Sequence, residues 1–329
     1  MAAKVEYKNG ILPSSEWKQE LTRKAYGEML VELGHQNPNV VVLDADLAMS
    51  TFTKFFREEF PERFIECGIA EQDMMNTAAG LSTWGLIPFL SSYAIFLSGR
   101  AWDQARNTVD YSNLNVKIAA AHGGISVGQD GCSHQGMEDL GNMLSLVNMT
   151  VLVPADYWET RRMMAWIPEH QGPLYFRLGR EKVPMVTTEE TPFIPGKAVE
   201  AVGGSDGTFI ACGMMLSRAV QAAELLAEEG IFSRVLNMPM LKPIDEEAIA
   251  RASEETGAIV TMEEHSVYGG LGSVVARVVV QGERAVPMRV VAIPDIYLES
   301  AGPEELLEIA GLTPENAAAK MKAALAQRG

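Results

Sequence analysis

The fold is decided by the stretch Glu66-Cys67-Gly68-Ile69-Ala70-Glu71-Gln72-Asp73-Met74-Met75. The apolar run that ends at Glu66 predicts a short strand, Gly68 predicts a tight turn, and the small-residue pattern after Glu71 predicts a helix. A carboxylate in the first turn of a helix is favoured by the helix dipole. On this local pattern alone, Glu71 is explained as an acid that stabilises a helix end.

Strand and helix patterns alternate on both sides of this stretch. The run Val40-Val41-Val42-Leu43 is continuously apolar, which is typical of a strand buried in a parallel sheet. Further strand-like runs lie at 87–90, 116–120, 150–153 and 174–177, and a second alternating set begins near residue 198. Strands separated by helices predict an α/β fold with two doubly wound, mostly parallel sheets, whose ligands bind at the carboxyl ends of the strands.

The boundary between the two predicted domains lies in the segment 181–196, which is rich in proline. We therefore expect a first domain over residues 1–185 and a second over residues 186–329. Within the first domain, residues 1–13 are expected to form a polar arm, and residues 14–35 a helix.

The composition of the chain limits its partners and its setting. The 329 residues are enough for two domains of ordinary size. A formal net charge of −16 argues against a nucleic-acid or anionic-membrane surface, although it permits a local basic pocket for a phosphate. Three cysteines without metal-ligand spacing favour a reduced, cytoplasmic setting. We expect no signal peptide, and no apolar run reaches the ~20 residues of a membrane-spanning helix.

Two further blocks accompany the opening stretch. The first is Tyr93-Ala94-Ile95-Phe96, and the second is Gly128-Gln129-Asp130-Gly131-Cys132-Ser133-His134-Gln135. In this order and spacing, the chain from about residue 14 to its end closely resembles the C-terminal half of transketolase, which comprises a pyrimidine-binding domain and a C-terminal domain. Deoxyxylulose-phosphate synthase and the β subunits of 2-oxoacid dehydrogenases are weaker relatives with a similar layout.

The resemblance implies thiamine diphosphate as the coenzyme, and Glu71 matches the catalytic glutamate of the family. A carboxylate hydrogen-bonded to pyrimidine N1′ is needed because it exchanges the proton that switches the coenzyme's amino group to its basic imino form. Ile69 matches the aliphatic residue that holds the coenzyme bent, and Asp46 lies in a loop with coenzyme contacts. Tyr93 or Phe96 is expected to stack on the pyrimidine ring, with Phe96 the better candidate.

The resemblance also implies a set of residues that bind the substrate. In transketolases the counterpart of Asp130 contacts the donor hydroxyls, that of His134 the donor oxygens, and that of His122 lies near the acceptor phosphate. Imidazoles suit this work because they exchange protons near neutral pH, so we count His134 as catalytic as well. Arg180 resembles the anion-binding arginine of the family, and Ser50 lies in the loop that contributes phosphate contacts. Each of these side chains has an ordinary structural role as its alternative.

The diphosphate side of the coenzyme site is missing from the sequence. Enzymes of this class hold the diphosphate through a divalent metal with a Gly-Asp-Gly motif that is followed by an asparagine, and the chain has no such motif. We therefore expect no metal ligand here. A partner, the N-terminal subunit of a split transketolase, is expected to hold Mg²⁺ and the diphosphate, in an α2β2 assembly with a large shared interface.

These observations predict one subunit of a transketolase that transfers a two-carbon ketol unit from an anionic ketose to an aldose. The alternatives are another thiamine diphosphate reaction, such as deoxyxylulose-phosphate synthesis or 2-oxoacid decarboxylation, and a non-catalytic partner subunit. The loop with two histidines favours a ketose donor. Met49 and Thr51-Phe52 depart from the family's usual Pro-Ser-Asn, and Gln129 replaces a common glutamate. The choice between a phosphorylated, a branched and a sulfonated sugar therefore stays open.

Overall fold

The computed structural model describes residues 5–327, in which strands and helices alternate as predicted. The strands are β1 (Glu6–Tyr7), β2 (Gln19–Leu21), β3 (Val40–Asp44), β4 (Phe64–Glu66), β5 (Ile87–Tyr93), β6 (Lys117–Ala121), β7 (Thr150–Leu152), β8 (Leu174–Arg177), β9 (Lys182–Pro184), β10 (Val199–Gly203), β11 (Thr208–Ala211), β12 (Arg234–Asn237), β13 (Met240–Lys242), β14 (Ile259–Ser266) and β15 (Met288–Ile293). The α-helices are α1 (Thr22–Gln36), α2 (Ala48–Thr51), α3 (Lys54–Glu59), α4 (Glu71–Ser82), α5 (Trp102–Gln104), α6 (Asp139–Leu144), α7 (Tyr157–Trp166), α8 (Met215–Glu228), α9 (Glu246–Glu255), α10 (Leu271–Gln281), α11 (Pro303–Ile309) and α12 (Pro314–Leu325). The segments Phe96–Arg100 and Ala105–Asp110 are π-helical.

The first sheet carries the predicted site. Within residues 5–327 it has seven strands in the order β13-β7-β8-β6-β5-β3-β4, and all neighbours are parallel except β13 and β7. Strands β3, β5 and β6 are buried along their whole length because helices cover both faces of the sheet. The carboxyl ends of parallel strands meet at one edge, so the loops after β3, β4, β5 and β6 lie together.

The second sheet has, within the described part of the chain, six strands in the order β1-β10-β12-β11-β14-β15. Strands β12, β11, β14 and β15 are parallel, and β1 and β10 add an antiparallel edge. Helices α8 and α12 pack on this sheet with an apolar cluster that includes Leu216, Val220 and Met321. The predicted α/β class with two doubly wound, mostly parallel sheets is confirmed.

Each sheet takes an edge strand from the other half of the chain. Strand β1 pairs with β10, with Glu6 opposite Gly203, and so belongs to the second sheet. Strand β13 pairs with β7 of the first sheet, with Met240 opposite Leu152. The division between residues 185 and 186 stays a prediction, because the two sheets share chain across it.

The N-terminal segment differs from its prediction in two places. Residues 1–4 of the expected polar arm lie outside the described residues, and β1 replaces part of the rest. The expected helix over 14–35 is wrong in its first turns, because Ser14–Glu16 forms a single 3-10 turn and β2 pairs with β9 before α1 begins at Thr22. None of the helices within residues 5–327 combines the length and the apolar character that a membrane span requires.

Candidate active site

A cavity of about 530 Å³ lies at the carboxyl edge of the first sheet. Its lining comes from the loops that follow β3, β4 and β5 and from the loop after β6, as the topology requires. The lining residues are Ala45, Asp46, Leu47, Ile69, Glu71, Tyr93, Phe96, Arg100, Asp130 and His134. The structure thus brings together most of the predicted site residues, while Ser50, His122 and Arg180 lie just outside the lining.

Glu71 is the buried acid of this cavity. It is the first residue of α4, it is 1% exposed, and its Oε2 accepts a hydrogen bond from Arg100 Nη1 at 2.8 Å. Ser92 Oγ lies 3.4 Å from the other carboxylate oxygen. A helix dipole stabilises an exposed carboxylate equally well, so a role as helix-end acid does not explain why Glu71 is buried against a cavity.

Glu66, the last residue of β4, connects two loops at the rim of the cavity. Its Oε1 accepts hydrogen bonds from the Asp46 N–H at 2.8 Å and from the Gly68 N–H at 3.0 Å, which ties the loop after β3 to the loop after β4. Asp46 has a φ of +62°, and Gly68 one of +67°. Ile69 is 74% exposed and lies at the mouth of the cavity.

Two aromatic rings form one wall. Tyr93 ends β5 and Phe96 starts the π-helical segment, and their rings stack at 5.8 Å with an interplanar angle of 17°. Tyr93 is 9% exposed and also stacks on His122 at 3.8 Å. The guanidinium carbon of Arg100 lies 4.5 Å from the Phe96 ring centroid. Tyr93 belongs to a strand and Phe96 to a helical segment, and the turn between them brings the two rings side by side.

His134 and Asp130 line the cavity next to the aromatic wall. The imidazole of His134 packs edge-on against Phe96 at 5.5 Å, and Ser133 Oγ lies 2.9 Å from its Nδ1. The Asp130 carboxylate lies 3.6 Å from Arg180 Nη1. A sugar that entered the cavity would therefore meet a carboxylate and an imidazole beside the aromatic wall.

His122 lies behind the aromatic wall and is neutral. It follows β6 with a φ of +60°, is 2% exposed, and its Nδ1 has no hydrogen-bond partner among residues 5–327. Burial, together with the nearby charges of Arg23 and Arg180, lowers the pKa of His122 to about 2. The ring therefore holds one unused hydrogen-bonding nitrogen next to two cations.

Arg23 links Ser50 to Arg180, and no sequence pattern pointed to it in advance. Its guanidinium donates to the Arg180 carbonyl oxygen at 3.0 and 2.7 Å and to the Ser50 carbonyl oxygen. Arg180 itself donates to the Val127 carbonyl oxygen and faces Asp130. Arg23 is the second residue of α1, where a cation opposes the helix dipole, but the predicted helix start at residue 14 placed Arg23 in the middle of a helix and hid this signal. Arg100 was missed as well, because the π-helical segment that aims it at Glu71 breaks the helical spacing.

No group of three or more His, Cys, Asp or Glu side chains within residues 5–327 is arranged to hold a metal ion. The carboxylates near the cavity are instead paired with arginines or with backbone N–H groups. The ring side of the coenzyme fits this structure, since a buried carboxylate and stacked aromatic rings line one cavity. The described part of the chain has no set of side chains that could bind the metal ion of the coenzyme's diphosphate.

Two protein-family models match the chain: the transketolase pyrimidine-binding domain over residues 18–186, and the transketolase C-terminal domain over residues 196–317. The chain belongs to the transketolase family. Both matched regions follow the order expected from the resemblance, and they leave short segments at the two ends and between them. The fold and the carboxyl-edge cavity of this transketolase-family chain are consistent with both matches.

Relatives of similar length share most of this transketolase-family chain. It is 44% identical to a "Putative transketolase C-terminal section" of Methanocaldococcus jannaschii, with 91% of this chain and 94% of the relative covered. It is 37% identical to a subunit of an apulose-4-phosphate transketolase of Phocaeicola vulgatus, with 89% of this chain and 94% of the relative covered. It is 40% identical to a subunit of a 6-deoxy-6-sulfo-D-fructose transketolase of Clostridium sp., with 88% and 90% covered. A solved structure of a split-gene transketolase, described as an inactive β4 tetramer, is 47% identical, covers 95% of this chain and 100% of its own, and has a TM-score of 0.87.

Proposed function

We propose that this transketolase-family chain is the subunit of a split, thiamine diphosphate-dependent transketolase that binds the coenzyme ring and the ketose donor. The observation that carries the proposal is one cavity of about 530 Å³ that joins the buried carboxylate of Glu71, the ring of Phe96, and the polar pair Asp130 and His134. When bound, thiamine diphosphate supplies the nucleophilic carbon for ketol transfer.

Glu71 would hold and return a proton at pyrimidine N1′. Its carboxylate is 1% exposed, so water does not compete for the proton at that atom. Phe96 would stack on the ring, with about 0.5–1.5 kcal/mol beyond the burial of its area. Ile69 would support the bent coenzyme from the mouth of the cavity, and Asp46 would contact it from the loop after β3. Tyr93 would support the Phe96 ring, on which it stacks.

Asp130 and His134 would orient the donor. A carboxylate accepts hydrogen bonds from sugar hydroxyls, and an imidazole can donate to or accept from the oxygen whose proton moves when the carbon–carbon bond breaks. The donor's anionic group would lie beyond them, near Arg180.

The surroundings of Arg180 suit an anionic group. Arg23 adds a second positive charge next to Arg180, and neutral His122 has a free ring nitrogen among the described residues. Ser50 is joined to this cluster because its carbonyl oxygen accepts a hydrogen bond from Arg23. The relatives named for a phosphorylated and for a sulfonated sugar support an anionic ketose as the donor class, because both names describe sugars with an acidic group.

A partner subunit would supply the metal side. This chain has no Gly-Asp-Gly motif with a following asparagine, and its described residues have no metal-ligand cluster. The similar solved structure is described as a tetramer of one kind of chain that is inactive, which supports a need for a second kind of chain. The proposal therefore includes Mg²⁺ held by an N-terminal subunit, an α2β2 assembly, a cytoplasmic location and a domain division at residues 185 and 186.

The test is reconstitution with the N-terminal subunit encoded in the same genome. The chain alone, the partner alone and the mixed pair are assayed with D-xylulose 5-phosphate, apulose 4-phosphate and 6-deoxy-6-sulfo-D-fructose as donors, with thiamine diphosphate and Mg²⁺ present. We expect ketol transfer only by the pair. Glu71→Gln should abolish most turnover and leave the fold intact, whereas Glu62→Gln, at an exposed glutamate before β4 and away from the cavity, should not change the rate. Full activity of the chain alone, or release of CO₂ from pyruvate in place of ketol transfer, would contradict the proposal.

A further inference from the structure

The loop over residues 122–136, here called the donor loop, carries both Asp130 and His134. Its two ends are closed on each other, because the Gly124 N–H donates to the Gly136 carbonyl oxygen at 2.8 Å and Gly123 forms a bridge with Gly136. A loop of this length between two fixed ends still has many conformations. The placement of its side chains in the cavity therefore needs further contacts along the loop.

Glu264 of the second sheet provides one of these contacts. It lies on β14, is 4% exposed, and its Oε1 accepts a hydrogen bond from the Ser126 N–H at 2.7 Å. Gly124 has a φ of +88°, and a Cβ at this position would lie 2.3 Å from the Glu264 carboxyl carbon. A glycine is thus required at residue 124 both by its backbone angle and by the carboxylate that passes over it.

Arg177 holds the base of the same loop. Its Nη2 donates to the Glu264 carbonyl oxygen at 2.9 Å and to the Gly136 carbonyl oxygen at 3.3 Å, and its Nε pairs with Asp139 Oδ2 at 2.8 Å. A Cβ on Gly123 would lie 2.4 Å from that Nε. Burial raises the pKa of Glu264 and the positive charge of Arg177 opposes this, so the two buried groups support each other.

The C-terminal half of the chain also covers the outer side of the donor loop. Gln135 Nε2 lies 3.4 Å from the Glu299 carbonyl oxygen. A Cβ on Gly131 would lie 2.5 Å from Ser300 Oγ, and a Cβ on Gly128 would lie 3.1 Å from Pro303 Cγ. The loop is consequently enclosed between the edge of the first sheet and residues of the second half.

We propose that Glu264 is a positioning residue for the ketose donor: by holding the Ser126 N–H it fixes the donor loop so that Asp130 and His134 face the cavity. Through Glu264, the second half of the chain then takes part in donor binding. The donor class rests on the proposed function, while the order of the loop is independent of it.

Glu263 is a matched control for Glu264. It is the preceding residue of β14, is equally buried, and its carboxylate accepts hydrogen bonds from the Leu271 N–H at 2.6 Å and the Gly272 N–H at 2.7 Å. Because side chains alternate along a strand, Glu263 stabilises the start of α10 and does not reach the donor loop.

The first measurement is amide hydrogen exchange on the chain alone. Glu264→Ala should speed exchange in peptides that cover residues 122–136 and leave the start of α10 unchanged, and Glu263→Ala should do the reverse. In the reconstituted pair, Glu264→Ala should raise KM for 6-deoxy-6-sulfo-D-fructose or D-xylulose 5-phosphate, whichever is turned over, by roughly tenfold to a hundredfold. The dissociation constant of thiamine diphosphate should change by less than about twofold, which is under half a kcal/mol. Glu264→Gln should restore most of the donor affinity, because its amide oxygen still accepts from Ser126.

Three outcomes would overturn the proposal: wild-type exchange rates over residues 122–136 in Glu264→Ala, faster exchange there without a change in donor KM, or an equal rise of donor KM in Glu263→Ala. If Glu264→Ala does not fold, Glu264→Met fills the same space without an acceptor and takes its place in each comparison. The two proposals can fail separately. If the Glu264→Ala and Glu263→Ala chains show the expected exchange pattern but the wild-type pair transfers no ketol unit, the contact of Glu264 with the loop is supported and the proposed function is contradicted.

Discussion

Arg100 Nη1 lies 2.8 Å from Glu71 Oε2, and the same guanidinium lies over the ring of Phe96, with its carbon 4.5 Å from the centroid. One planar cation thus contacts both groups that a bound aminopyrimidine ring would use. Half of the Arg100 side chain is exposed, at 47%, while Glu71 is buried. Arg100 therefore pairs with the acid and covers the Phe96 ring, and we expect a bound aminopyrimidine ring to take its place.

The first prediction concerns the stability of the chain alone. Arg100→Met leaves the Glu71 carboxylate buried without its cation, so the free energy of unfolding should fall by about 1–3 kcal/mol, less than for a fully buried pair because Arg100 is half exposed. In a Glu71→Gln background the same substitution should cost much less. Urea denaturation of the wild type, the two single variants and the double variant measures the coupling energy between Arg100 and Glu71. Arg106→Met, at an exposed arginine, is the control. Additive effects of the two substitutions would show that the pair does not stabilise the chain.

The second prediction concerns coenzyme binding, which the same substitution should improve although it destabilises the chain. Because Arg100 competes with the ring, Arg100→Met should tighten binding of thiamine diphosphate to the reconstituted pair, and the dissociation constant should fall roughly threefold to tenfold. Quenching of protein fluorescence by the coenzyme measures the constant directly. Weaker binding in this variant would mean that Arg100 contacts the bound coenzyme and does not merely occupy its place.

The third prediction distinguishes the two aromatic residues. Phe96→Ala removes the proposed stacking face and should raise the dissociation constant of thiamine diphosphate by roughly tenfold or more. Tyr93→Phe keeps the ring that packs against His122 and Phe96 and should change the constant little. If Tyr93→Ala weakens coenzyme binding and Phe96→Ala does not, the assignment of the stacking residue is wrong.

The fourth prediction concerns the anionic group of the donor. Arg180→Gln removes a planar cation that can bind an oxyanion through two N–H groups, so KM for a phosphorylated or sulfonated ketose should rise roughly tenfold to a hundredfold. KM for the uncharged donor L-erythrulose should be unaffected. A parallel rise for both donors would indicate that Arg180 acts through Asp130, which lies 3.6 Å away, and not through the anion.

The sequence predicts the parts of this site that lie close together along the chain. Glu71 and Ile69 come from one block, and Asp130 and His134 from another, so the types and spacing of neighbouring residues carry the information. Arg100 is 29 positions from Glu71, and Arg23 is 157 positions from Arg180, so local spacing says nothing about either pair.

Contacts between distant parts of the chain also explain where the predicted fold was wrong. A serine-rich start at Ser14 favours a helix locally, but β2 finds its partner in β9, more than 160 positions further on, and this pairing delays the helix to Thr22. Strand β1 likewise pairs with a strand of the second sheet. Alternation of strands and helices predicts the two sheets well, because most of the parallel strands contain an apolar run, whereas short edge strands depend on partners that sequence patterns do not reveal.

The fifth prediction concerns pH and His122. In the folded chain the pKa of His122 is lowered to about 2 by burial and by the charges of Arg23 and Arg180, while in the unfolded chain it has its ordinary value of 6.5. Below about pH 6.5 only the unfolded chain takes up this proton, so the contribution of His122 to stability is complete above that pH and is lost as the pH falls. The loss is about 1.4 kcal/mol for each pH unit.

The variant that tests this is His122→Asn, because asparagine tolerates the φ of +60° and does not titrate. The difference in unfolding free energy between variant and wild type should shift in favour of the variant by about 1.4 kcal/mol from pH 7.5 to pH 5.5. Comparing the two chains cancels the buried acids Asp44, Glu159 and Glu263, whose raised pKa values act in the opposite direction. A difference that is independent of pH would mean that His122 takes up its proton in the folded chain, and the ring would then present a positive charge to the anion of the donor.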